Sequence, residues 1–238
     1  MGEEEGTPTV RVEERTGIQA LERIAPTKAM KPGPEERRAF ESKRHGTPCL
    51  IGNFEVATGE VVSPTVQATR TEEDFATHIA TAVAADPEAG WIFVADNLTI
   101  HGSESLVRYV ARECGVEEDL GKKGKRDVLR SVATRKAFRT DPRPRIRFVY
   151  VPKHTSWLNP IEIGFSILVR RVITRGNFRS VADLREKILA FIDYFNRTLA
   201  KPFPWTFTGR PLNVSSREAG AGLVGPRPQW KTDSAGVY

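Results

Sequence analysis

Residues Trp91–Asn97 read WIFVADN: five apolar residues in succession, then an aspartate and an asparagine. An unbroken apolar run of this length, followed by a turn signal, fits a strand buried on both faces, as in a parallel sheet covered by helices. The abrupt polar switch puts Asp96 at the strand's carboxyl end, where α/β sheets present ligand-binding residues. Ile146–Val151 (IRFVYV), ended by Pro152, reads as a second strand of the same kind. Between them the pattern predicts a helix from about Ser103 to Cys114, stopped by Gly115, and a short helix near Asp127–Phe138.

Toward the amino end, Thr9–Glu14 alternates apolar and polar residues and suits a short strand. Gln19–Pro34 reads as irregular because Pro26, Pro32 and Gly33 break any long helix. Thr47–Glu55 and Glu60–Ala68 form a predicted hairpin about Ala57-Thr58-Gly59. Thr71-Glu-Glu-Asp74 is a capping box for a helix that buries Phe75, Ile79 and Ala82/Val83 and stops at Asp86-Pro87. Toward the carboxyl end, helices are predicted over about Pro160–Val172 and Val181–Asn196. The second is capped by Ser180 and buries Val181, Leu184, Ile188, Phe191 and Phe195. This order gives an α/β fold, a mixed central sheet with helices on both faces. The domain expected is residues 9–212 with a basic insert at 121–147, between a flexible leader (1–8) and a flexible Gly/Pro/Ser-rich tail (213–238).

Charge is unevenly spread. Gly121–Arg147 holds eleven Lys or Arg against Asp127 and Asp141, so the remaining residues sum to −3 although the whole chain is +6. Such a segment is either a solvated charged face or a footprint for a polyanion. On the second reading Lys122, Lys123, Lys125, Arg126, Arg130, Arg135, Lys136 and the later Lys153 neutralise phosphates, giving affinity with little sequence choice. Trp157 either stacks on an unpaired base or wedges a helix against the sheet. No apolar run approaches the roughly 18 residues that span a bilayer, so no membrane partner is expected. Cys49 and Cys114 lie far apart without zinc or disulfide spacing, which points to a cytoplasmic, reducing setting.

Two acids stand where metal chemistry would need them, and each also has a plain structural reading. Asp96-Asn97 is an ordinary turn after a strand. Glu162 sits three residues after Asn159, so with Pro160 at the first helical position it serves equally as a capping-box carboxylate. His101 and His154 lie near these acids; each is either a proton shuttle or phosphate contact, or a loop histidine with a local hydrogen bond.

Several motifs in fixed order go further. Tyr150–Arg171 (YVPKHTSWLNPIEIGFSILVRR) resembles the third-acid region of the bacterial insertion-sequence branch of the mariner-like transposases, and Val94–His101 (VADNLTIH) resembles its second-acid strand. Arg15–Pro26, Lys43–Val61 and Phe195–Leu212 follow the same family's pattern, so the resemblance runs from about Val10 to Leu212. It implies an RNase H-like fold and a carboxylate triad, here Glu13, Asp96 and Glu162, that binds two Mg²⁺ or Mn²⁺ ions. Hard divalent cations prefer oxygen ligands, and a pair of them can activate an attacking water or hydroxyl and stabilise the leaving oxygen. It also implies DNA as partner (transposon ends and target), homodimers on paired ends, and a cytoplasmic protein that is nucleoid-associated when bound to DNA.

Two departures follow. The family's first Asp falls at Glu13 of Val12-Glu13-Glu14, and the extra methylene moves the carboxylate roughly 1.5 Å outward. About 1 Å of misplacement can cost on the order of a hundredfold in rate, so cleavage and strand transfer are expected to be impaired. The family's helix-turn-helix region has no counterpart ahead of the first strand, so a truncated frame without end recognition is expected. The competing expectations are a non-enzymatic DNA-binding remnant of the same fold and an RNase H-like nuclease acting on hybrids or junctions.

Overall fold

The structure is a computed structural model and describes residues 7–25, 41–151 and 161–202. The alternating segment forms β1 (Thr9–Arg15); β2 (Ala20–Arg23) and β3 (Ser42–Gly46) follow, then β4 (Cys49–Glu55) and β5 (Val61–Gln67). Helix α1 (Glu72–Ala85) leads to β6 (Trp91–Ala95), α2 (Glu104–Glu113), α3 (Val132–Thr140) and β7 (Ile146–Tyr150). Helices α4 (Ile161–Leu168) and α5 (Val181–Thr198) complete the described chain.

The main sheet runs β5-β4-β1-β6-β7. β4 is antiparallel to both β1 and β5, whereas β6 is parallel to β1 and to β7. Each strand of such a sheet must bury two faces, and the pleat sends successive residues to opposite layers. In β4, Ile51 joins Val12, Phe93 and Phe148 of the sheet under Phe75 and Ile79 of α1 and Leu106 and Val110 of α2. Its neighbour Leu50 joins Phe54 under Ile161 and Phe165 of α4 and Leu184 and Ile188 of α5. Helices therefore cover both faces, as the sequence pattern requires.

Local signals act where the sequence puts them. Thr71 accepts from the Asp74 N–H while the Asp74 carboxylate accepts from the Thr71 N–H, the reciprocal cap expected for α1. Gly59 closes the β4–β5 turn at φ +78, and a β-carbon there would run into the Lys201 backbone. Ser103 and Ser180 cap α2 and α5.

Two segments differ from expectation. Ala20–Arg23, expected to be irregular, pairs with Ser42–Gly46 as a small separate sheet. Four residues with one apolar inward position carry too little periodicity to be read without the partner strand. In α5 the buried face uses Ile192 rather than Phe191, which is half-buried at its rim. The leader through Gly6, the expected tail, and the segment holding Lys153, His154 and Trp157 lie outside the described residues.

Candidate metal centre

Strand β6 ends at Ala95, so Asp96 leaves the sheet at its carboxyl end, as read from WIFVADN. Its Oδ1 accepts from the Leu98 N–H at 2.8 Å and faces His101 Nδ1 at 2.8 Å. Asn97 ties this edge to its neighbours: its Nδ2 donates to the Val151 carbonyl at the end of β7, and its Oδ1 accepts from Lys136 of α3. The hydrogen bond from His101, aided by the Leu98 N–H and by the charges of His101 and Lys136, holds the Asp96 carboxyl below the usual range against the opposing effect of burial. It is an ionised carboxylate, 45% exposed, with one oxygen restrained and Oδ2 without a partner among the described residues.

His101 lies in a helical turn (Thr99–Gly102) and its side chain is 1% exposed. Its Nε2 faces Glu14 Oε1 at 2.6 Å, and Glu14 is itself 3% exposed. Burial would pull the imidazole down, but the hydrogen bonds to Asp96 and Glu14 more than offset it and push His101 up to about 9. The ring packs against Phe75 at 4.3 Å between centroids. The buried histidine faces two carboxylates, and its Nδ1 also lies 3.2 Å from the Asp96 carbonyl, the local hydrogen bond of a turn. Glu14 was not singled out from the sequence. The only local signal is that it continues the inward-facing series Val10, Val12, which would put an acid on an apolar face.

Glu13 points the other way. It is level with Gly52 in the β1–β4 register, and a β-carbon on Gly52 would come within 3.3 Å of Ile161 Cδ1 and 3.4 Å of Phe165 Cζ in α4. The face of β1 that carries Glu13 is therefore the face that α4 covers. Parallel pairing of β1 with β6 runs from Thr9–Ile92 to Arg11–Val94, two residues short of Glu13 and Asp96. Glu162 follows the buried Ile161 in the first turn of α4 and is exposed. Strand β1, which carries Glu13, thus pairs with β6, which leads into Asp96, and α4, whose first turn carries Glu162, packs over Gly52 of β4. Among the described residues, however, no three His, Cys, Asp or Glu side chains already stand close enough together to hold an ion. The donor chemistry suits a hard cation: carboxylate oxygens, with one Asp96 oxygen open.

The basic insert divides between structure and surface. Arg135 is buried, its Nε and Nη1 donating to the carbonyls of Gly102 and Leu129, so it is not available to a phosphate. Lys136 reaches Asn97 and lies over the Tyr150 ring. Lys123 pairs with Glu72 and Glu104, and Arg126 with Asp119 and Asp127. Lys122, Lys125 and Arg130 are exposed and make no ion pair among the described residues. A hollow of about 420 Å³ between α4 and α5, lined by Phe54, Ile163, Ile167 and Phe195 and by no carboxylate, does not include Asp96. No helix among the described residues is long and apolar enough to cross a membrane.

The sequence model of the DDE superfamily endonuclease family matches residues 14–185, most of the chain, and spans Asp96 and Glu162. The chain belongs to the DDE superfamily endonucleases. No curated protein matches it in sequence. Among solved structures it is similar to the Mos1 transposase paired-end complex with left transposon end (11% identity, 82% of this chain and 49% of that one, TM-score 0.47). It is similar also to the Mos1 mariner paired end complex with Mn (11% identity, 80% and 48%, TM-score 0.45). The endonuclease chain spans about half the length of these transposases. Its fold is α/β, with the mixed central sheet and two helical layers described above.

Proposed function

We propose that this DDE endonuclease is the catalytic domain of a transposase of the bacterial insertion-sequence branch of the mariner-like superfamily, cutting and joining DNA with two Mg²⁺ or Mn²⁺ ions. Membership of the endonuclease family supports the reaction class. The observation that carries the site is the Asp96 carboxylate, ionised at the carboxyl end of β6 with one oxygen free. Asp96, Glu13 and Glu162 would hold the cations, which when bound supply a Lewis acid for the attacking and leaving oxygens. The chain's own part is to fix the ligands. The Leu98 N–H and His101 restrain Asp96, and the packing of Ile161 and Phe165 under Gly52 sets α4 beside β1. Lys122, Lys123, Lys125, Arg126 and Arg130, with Lys136, Lys153 and Trp157, would meet the DNA; Arg135 is left out because its donors are already engaged.

The test is a calorimetric Mn²⁺ titration of the full chain. Asp96→Asn is expected to weaken binding by more than a hundredfold, and Glu162→Gln by at least tenfold, because each removes a charged oxygen ligand rather than an outer support. Binding indifferent to both substitutions would leave the non-enzymatic DNA-binding reading in its place.

The longer Glu13 side chain has its own expected outcome. With Mn²⁺ and element-end DNA, Glu13→Asp is expected to raise the single-turnover cleavage rate on the order of a hundredfold by drawing the carboxylate back about 1.5 Å. A rate changed by less than threefold would show that Glu13 is not what limits this enzyme.

A further inference from the structure

The buried Glu14–His101 pair is separate from the three carboxylates read from the sequence, and it makes an unusual contact with one of them. Both imidazole nitrogens face carboxylate oxygens, Nε2 toward Glu14 at 2.6 Å and Nδ1 toward Asp96 at 2.8 Å. Nδ1 also lies 3.2 Å from the Asp96 main-chain carbonyl, so the ring is held at both nitrogens. The ring has little freedom to move. Its face packs on Phe75, and its own carbonyl accepts from Arg139 Nη1 and from the Tyr150 hydroxyl.

A buried ionic group of this kind is weak evidence for stability, because well-packed apolar residues do as well or better in its place. What it does supply is geometry at the exposed end. His101 and the Leu98 N–H hold the same oxygen of Asp96, which fixes the direction of the other.

We propose that Glu14 and His101 are positioning residues for Asp96: the imidazole braces one carboxylate oxygen, and Glu14 anchors the ring, so that Asp96 offers a divalent cation one orientation. This rests on Asp96 being a metal ligand, as proposed above. Conserved hydrogen bonds behind metal ligands typically change affinity by about ten- to a hundredfold when removed.

The experiment measures Mn²⁺ affinity of the folded full chain well below its melting temperature, together with Tm in the absence of metal. His101→Gln removes the brace on the Asp96 oxygen, and positioning predicts that Mn²⁺ binding weakens ten- to a hundredfold. Glu14→Gln/His101→Gln removes one charge of each sign, leaves no buried charge unpaired, and keeps the test open if the single variant fails to fold. It is expected to weaken Mn²⁺ binding to a similar degree. Unchanged or tighter binding in the paired variant, with only Tm lowered, would make the pair purely structural and overturn the proposal. Wild-type protein that takes up no Mn²⁺ would overturn the metal-ligand reading of Asp96, and this inference with it.

Discussion

Arg139→Ala is expected to destabilise the protein by about 3–5 kcal/mol, the range for emptying a large core position. Arg139 is fully buried in α3. Its Nη1 donates to the His101 carbonyl and its Nε to the Arg135 carbonyl, and its guanidinium lies 5.5 and 5.6 Å from the Phe148 and Tyr150 ring centres. It forms no ion pair with an acid among the described residues, and Nη2 finds no partner. Burial accordingly lowers its pKa to about 10. The charge is answered by ring faces and carbonyls, an arrangement worth about 2 kcal/mol per cation–π contact when desolvated, set against a large desolvation cost. Truncation to alanine leaves a cavity between α3 and β7 and removes one donor from each of two carbonyls. Arg139→Met keeps most of the volume and removes the buried charge, so it is expected to cost less than half as much. Urea unfolding at pH 7 decides between them. If the two variants lose equal stability, the carbonyl bonds and not the filled volume are what Arg139 contributes. If Arg139→Ala falls within 1 kcal/mol of wild type, the account of this layer is wrong.

Acid should weaken the fold through His78, on the inner side of α1. The ring is fully buried; Nδ1 bonds the Thr65 hydroxyl at 2.8 Å and Nε2 has no partner. Burial alone holds its pKa down at about 3. An unfolded chain takes up this proton near pH 6.5, whereas the folded one refuses it until about pH 3. The unfolded state therefore binds more protons throughout that window. His78 favours folding fully above pH 6.5, and the advantage is lost as pH falls toward 3. At about 1.4 kcal/mol per pH unit, the loss by pH 4.5 is on the order of 2–3 kcal/mol, and by pH 3 on the order of 4 kcal/mol. Carboxylates titrate over the lower part of this range too, so the measurement is a comparison. Urea-derived stability of His78→Gln, which cannot titrate, should fall less steeply between pH 6.5 and 4.5 than that of wild type. Parallel curves would show that His78 is solvated or protonated in the folded protein.

Glu14 and His101 illustrate why part of the site was not legible in the sequence. They are 87 residues apart, and each taken alone reads as ordinary: one more acid at a strand end, one histidine in a turn after Asp96. Only the pairing of β1 with β6 makes them neighbours. Arg135 makes the same point from the opposite direction. Within a run of eleven cations it looks like a phosphate contact, yet the packing of α3 on the Asp96 edge turns it into a buried support for the Gly102 carbonyl. Net charge over a segment states how many cations are present and is silent on which way a helix turns them. The place of Asp96 after β6 was legible, because the switch from apolar to polar residues at a strand end is a local event.

The amino-acid sequence by itself determined the α/β class, the strands on either side of Asp96, the caps at Thr71 and Ser180, and the family signature around Asp96 and Glu162. Each depends on periodicity or turn chemistry within a few residues, where one side chain's preference does not depend on the rest of the fold. Tertiary structure decided which residues stand behind Asp96, which arginines are buried, that Ala20–Arg23 becomes a strand, and how the acids of β1 divide between the two faces. Those outcomes depend on pairing partners tens of residues away and on what burial costs a charge, neither of which a short stretch of sequence carries.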